Sequence, residues 1–170
     1  MSVQIRAITD EEFEAFRAHE VAKYAYEIAA NYDVGPDDAR EQADGHFRGL
    51  LRNGAATPDH HVRCIEVVSV DHDPQGPDAA PPVNAELVGY LWYSVDRVGG
   101  YAWLDAMSIF PAHRRKGYGR HALQALDAEL RRMGIGGISL HVFGANTGAQ
   151  EFYRRLGFRV TDVTMKRDTD

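Results

Sequence analysis

Between Asp105 and Asp127 the sequence contains no acidic residue, although the 170-residue chain carries a formal net charge of −6. Within that gap stands Pro111-Ala112-His113-Arg114-Arg115-Lys116-Gly117-Tyr118-Gly119-Arg120, a local reversal of sign built on four cations and two glycines. The apolar pattern before it reads as a strand and the pattern after it as a helix. The start of a helix presents unpaired N–H groups and partial positive charge, which suit phosphate. Glycine lets backbone come close to a ligand. The chemistry these residues point to is the binding of a pyrophosphate.

Three phosphate sites compete for that description. A nucleoside-triphosphate loop requires Gly-Lys-Ser/Thr, and that triplet is missing. The dinucleotide spacing is met by Gly117-x-Gly119-x-x-Ala122, but that site expects an acidic residue at the end of the next strand, where His141-Val142-Phe143 stands. Coenzyme A, with a pyrophosphate and a 3′-phosphate, asks for several cations together with backbone donors. A solvated basic turn is the plain alternative to all three.

A second block, Asn146-Thr147-Gly148-Ala149-Gln150-Glu151-Phe152-Tyr153-Arg154-Arg155-Leu156-Gly157-Phe158, follows at a fixed distance. Arg114-x-x-Gly117-x-Gly119 resembles the acetyl-CoA motif of the GNAT N-acetyltransferase family, and this block resembles the same family's Asn-x-x-Ala-x-x-x-Tyr-x-x-x-Gly-Phe signature. The two motifs cover about Tyr101 to Lys166, in the family's order and spacing.

The resemblance implies an α/β fold with a mixed sheet, β-α-α-β-β-β-α-β-α-β, in which strands four and five splay around acetyl-CoA. By position, Met107, Ser108 and Ile109 would pair with the pantetheine. Arg114, Arg115, Lys116, Gly117, Tyr118, Gly119 and Arg120 would hold the phosphates. Asn146 would lie near the pantetheine and Tyr153 near the sulfur. The implied reaction is acetyl transfer to a primary amine by direct attack in a ternary complex, and a non-catalytic acyl-CoA sensor of the same fold is the alternative.

An alkyl ammonium, with a pKa of ~10, must lose a proton before it attacks. Ile109 N–H is placed by the resemblance to stabilise the oxygen charge. A phenol of similar pKa, Tyr153, can protonate the departing thiolate. For the amine's proton there are two candidates. His141 has a reference pKa of ~6.5, and Asp105, at ~3.9, is the weaker base but can orient an ammonium. Each residue also has an ordinary structural reading: Tyr153 as core, Asn146 as helix N-cap and His141 as a strand histidine.

These residues need elements to position them. Val3–Ile8 alternates as a half-buried strand. Thr9 or Asp10 caps a helix whose stripe is Phe13, Phe16, Val21, Tyr24 and Ile28. Pro36 opens a second helix, with Ala39, Ala43, Phe47, Leu50 and Leu51 on one face and a stop at Asn53-Gly54. Strands follow at 62–70, 86–95 and 101–110, with a proline-rich loop at 71–85. Leu123, Leu126, Leu130 and Met133 mark a third helix. Ile138 to Phe143 reads as a fifth strand, Asn146 to Leu156 as a fourth helix, and Phe158 to Lys166 as a final strand. The whole reads as one domain, 1–170.

Composition sets the remaining bounds. With 44% apolar and 26% charged residues the chain is globular, and its acidity argues against nucleic acid or an anionic membrane as partner. The lone Cys64 sits in a strand and reads as a small core residue. His60-His61 point to opposite faces of a strand and do not converge on a metal. His113 reads as solvated or beside phosphate. No secretory pattern and no spanning apolar run is present, so a cytoplasmic location is expected. The resemblance to that family implies that a homodimer is possible. Neither the acceptor nor the acyl-chain preference is legible.

Overall fold

The computed structural model describes residues 2–70 and 83–167. Its elements are β1 (Ser2–Ala7), α1 (Asp10–Asn31), α2 (Pro36–Leu50), β2 (His60–Val70), β3 (Val83–Asp96), β4 (Tyr101–Ile109), α3 (Tyr118–Arg132), β5 (Gly137–Leu140) and α4 (Thr147–Arg155). The strands form one sheet in the order β1-β2-β3-β4-β5. Every neighbouring pair is antiparallel except β4 and β5, which run parallel.

Local chemistry accounts for the helix starts. Thr9 and Glu12 form a reciprocal capping box at α1, and Asp10, Glu11 and Glu12 face the positive end of the helix. Arg6 on β1 donates to both carboxylate oxygens of Glu12 at 2.8 and 2.6 Å and to Glu66 on β2 at 2.7 Å. The sheet is thereby fastened to the start of α1. Pro36 occupies the first turn of α2, where its missing N–H has no consequence.

The sheet divides the core in two. On one side α1 and α2 bury Phe16, Ile28, Ala43 and Phe47 against Val62, Cys64, Tyr90 and Trp92. On the other, Leu123, Leu126 and Leu130 of α3 pack on Ile65, Val88, Leu91 and Tyr93, with Phe152, Tyr153 and Leu156 of α4 alongside. Strand β3 is covered on both faces, which explains its near-continuous apolar run. Burial raises the Cys64 thiol to about 11, in keeping with an inert core residue. His60 accepts a hydrogen bond from Trp92 Nε1 at 3.1 Å, while His61 stacks on Tyr93 at 4.8 Å, so the two rings do face opposite ways.

Three expectations are corrected. The strand expected at 158–166 does not form: Val160, Val163 and Met165 are exposed, and β5, the adjoining edge, ends at Leu140. Alternation without a partner edge and a face to bury leaves a strand unmade. The fifth strand is also shorter than expected and ends before His141. Residues 71–82 of the expected loop lie outside the described residues, while Val83–Ala85 pair with Val70, Ser69 and Val68 as the start of β3.

Candidate active site

The parallel pair carries the opening. Register pairs join Tyr101–Leu104 to Gly137–Leu140 and stop there. At that point β4 contains a bulge: Trp92 pairs with Ala106 and Tyr93 with Leu104, so Asp105 is the extra residue. A bulge re-aims side chains and turns the strand. Leu104 and Met107 pack on the α3–α4 side, whereas Ala106 packs on the α1–α2 side. Ser108 also meets α1, through Glu20. The bulge therefore breaks the parity that simple alternation assigns from Asp105 to Ile109.

Backbone directions follow from one bond. Phe110 N–H donates to Val88 C=O on β3 at 2.9 Å. Successive residues of a strand alternate in direction, so Ile109 and Met107 turn their amides and carbonyls toward the opening. Both carbonyls are in use: Met107 O accepts from Lys23 Nζ at 2.9 Å and Ile109 O from Arg114 Nε at 2.9 Å.

The basic loop begins where β4 ends. Pro111–His113 make a 3₁₀ turn, and Arg115 and Gly117 take left-handed conformations at φ of 64° and 84°. Gly117 is the N-cap of α3 and supplies no capping side chain. The first helical bond runs from His121 N–H to Gly117 C=O, which leaves the amides of Tyr118, Gly119 and Arg120 without helical partners. Arg114, Arg115, Lys116 and Arg120 are exposed, and among the described residues no carboxylate pairs with them. Phosphate would meet free donors and free cations here. A Cβ on Gly119 would stand 3.2 Å from Phe152 Cζ and 3.8 Å from Ile109 Cγ1, so the two sequence motifs touch at this glycine. His113 is not solvated: its side chain is mostly covered, and Nε2 lies 3.7 Å from Glu86.

Helix α4 follows β5 in the chain and packs with the α3 side of the sheet. Asn146 caps it, its Oδ1 accepting from Ala149 N–H at 3.1 Å, while its Nδ2 donates to Glu27 of α1 at 2.8 Å. Both ends of the amide are engaged, and the capping reading describes what the side chain does. Tyr153 lies between Phe152 and Phe158, with ring centroids 5.1 and 5.3 Å away. Burial, joined by the charge of Glu20, pushes its hydroxyl well above the ordinary phenol range, so the group stays protonated at neutral pH.

The two proton acceptors differ sharply. Burial pushes the Asp105 carboxyl up to about 6, against hydrogen bonds from Ser94 and from backbone that hold it down. Its Oδ2 is buried without a hydrogen-bond partner. His141, just past β5, is exposed and meets Phe143 edge-on at 5.2 Å.

Two residues escaped the sequence reading. Glu20 on α1 is 2% exposed, and Ser108 Oγ donates to its carboxylate. Lys23 Nζ sits 3.2 Å from its other oxygen. The signal was there, since Glu20 falls on the apolar stripe of Phe13 and Phe16, where a carboxylate demands partners.

A sheet whose one parallel pair stops beside a basic, glycine-bearing helix start defines an α/β domain suited to a phosphate-bearing ligand. The profile described as the Acetyltransferase (GNAT) family matches residues 8–158. The uncharacterized N-acetyltransferase YycN of Bacillus subtilis (strain 168) is 30% identical over 169 residues, which span 98% of this chain and 99% of that protein. Its crystal structure superposes with a TM-score of 0.83 at 29% identity, covering 99% of each chain. The PaiA N-acetyltransferase of Thermoplasma acidophilum, solved with coenzyme A, shares the fold at a TM-score of 0.64 and 20% identity, over 96% of this chain and 94% of that one. The chain thus belongs to the GNAT acetyltransferase family and is an acetyl-CoA-dependent acetyltransferase. Among the described residues no helix is long and apolar enough to cross a membrane.

Proposed function

We propose that the chain acetylates a primary amine by direct attack within a ternary complex at the opening between β4 and β5. The observation that carries this reading is the outward-facing Ile109 amide at the end of β4, followed by the uncapped start of α3. The amides of Tyr118, Gly119 and Arg120 and the cations Arg114, Arg115, Lys116 and Arg120 suit the donor's phosphates. The Ile109 end of the β4 edge suits its pantetheine, with Ser108 facing α1 behind it and Asn146 fixing the start of α4. Acetyl-CoA supplies an activated thioester.

The residues divide the proton work. Ile109 N–H is fixed by the strand and suits an oxygen gaining charge in the transition state. Tyr153, held protonated, donates its hydroxyl proton to the leaving sulfur. Asp105 takes the proton from the acceptor nitrogen: a carboxyl raised to about 6 is a far better base at neutral pH than an ordinary aspartate. His141, exposed at the mouth, passes a proton to solvent. This exchanges the roles that reference pKa values suggest, because burial has moved Asp105.

The test is binding followed by turnover. Acetyl-CoA at a hundred times its Kd should add about 2.7 kcal/mol of stability. A panel of amino acids, polyamines, aminoglycosides and peptides should then reveal an acceptor by release of free CoA thiol. No stabilisation and no calorimetric heat at millimolar acetyl-CoA would defeat the proposal. Binding with no thiol release from any amine would leave an acyl-CoA-binding module.

A further inference from the structure

Inside the cleft the chain already holds a primary ammonium. Lys23 Nζ donates to the Glu20 carboxylate at 3.2 Å and to the Met107 carbonyl at 2.9 Å. The other groups around that carboxylate are Ser108, which donates to it, His19 with Nε2 at 3.9 Å, and the phenols of Tyr90 and Tyr153, which feel its charge. Glu20 is 2% exposed while the Lys23 side chain is 38% exposed, so solvent reaches this pair from the lysine's side.

An ordinary surface pair needs no buried carboxylate and no carbonyl from a strand edge. Here both are present, and the carbonyl belongs to the edge that also carries the Ile109 amide. Two residues along a strand span about 7 Å. An ammonium at Met107 therefore lies within one small group of a carbonyl held at Ile109. The lysine stem is flexible, and its side chain is the most exposed of the cluster. We propose that Glu20 and the Met107 carbonyl form the subsite for the acceptor's ammonium, and that Lys23 fills it until an acceptor with at least two N–H donors displaces it. This rests on the acetyl-transfer reading and adds the place where the acceptor's ammonium docks and the residue it must displace.

The test removes the resident. Lys23→Ala should leave a cavity that binds n-propylammonium, raising Tm by about 3–6 °C at ten times its Kd. Tetramethylammonium at equal ionic strength has the charge and no N–H donor, and should give no such rise. Neither amine should move the Glu20→Gln/Lys23→Ala double variant. In turnover, Lys23→Ala should lower the KM for the primary amine found by the acceptor screen several-fold at an unchanged KM for acetyl-CoA. Should Lys23→Ala fail to fold, Lys23→Met keeps the stem's packing. In the wild type, titration with n-propylammonium should shift the Lys23 ammonium resonance by 15N NMR and leave that of Lys116 in place. A variant indifferent to n-propylammonium, equal rescue by tetramethylammonium, an acceptor KM that rises, or an unmoved Lys23 resonance each overturns the subsite. The amine titrations contain no acetyl-CoA, so their failure stays separate from a failure of acetyl-CoA binding in the wild type.

Discussion

Asp105→Asn probes burial and catalysis at the same atom. The carboxyl is raised from its ordinary 3.8 to about 6, so the fold favours its protonated form. That preference is fully satisfied below pH 3.8 and is lost as pH rises through 6, where folding must hold a buried charge. Linkage over those two values makes the wild type lose about 2–3 kcal/mol between pH 4 and pH 7 relative to a variant that cannot ionise. An amide at this place has its own fixed cost, about 1–3 kcal/mol if its N–H₂ finds no partner where Oδ2 had none. That cost does not depend on pH and drops out of the comparison. The measurement is urea unfolding of both proteins at several pH values from 4 to 7. In melting experiments the same change corresponds to about 5–10 °C of relative Tm. The variant should also lose the limb of kcat/KM that rises near pH 6, with kcat down by about 10²-fold. Parallel stability curves would refute the burial argument. A surviving limb near pH 6 would transfer the proton to His141 or to water.

Tyr153→Phe keeps the ring between Phe152 and Phe158 and removes only the proton, so kcat should fall by about 10²-fold with acetyl-CoA affinity unchanged by calorimetry. Gly119→Glu places a side chain against Phe152 and a negative charge at the α3 start, and should abolish the thermal shift caused by acetyl-CoA. Glu12 is held down to about 2 by Arg6 and the Thr9 amide, so its contribution is present above about 4.5 and is lost as pH falls toward 2. Against Glu12→Gln, the wild type's advantage in acid unfolding should shrink by about 1–2 kcal/mol over that window, after discounting for partial exposure.

The sequence by itself determined the helix starts, the two motifs and the family, because these are local. A capping residue at Thr9 or Asp10, which the structure resolves as Thr9, a proline at the first turn of α2 and glycines in a cationic strand-to-helix link carry their meaning within a few residues. The same locality misled at 158–166, where alternation promised a strand but Val160, Val163 and Met165 bury no face and β5 at the sheet edge is only four residues long. What lies in the cleft was decided by tertiary structure. The bulge at Asp105 exists only as a mismatch between two strands, and it sends Ala106 and Ser108 toward the α1–α2 layer while Met107 packs with α3 and α4. Burial, a property of the packed chain, then lifts that aspartate to about 6 and leaves His141 in solvent. Glu20 and Lys23 lie more than eighty residues from Met107 and Ser108, and only folding brings α1 over the β4 edge to close that contact.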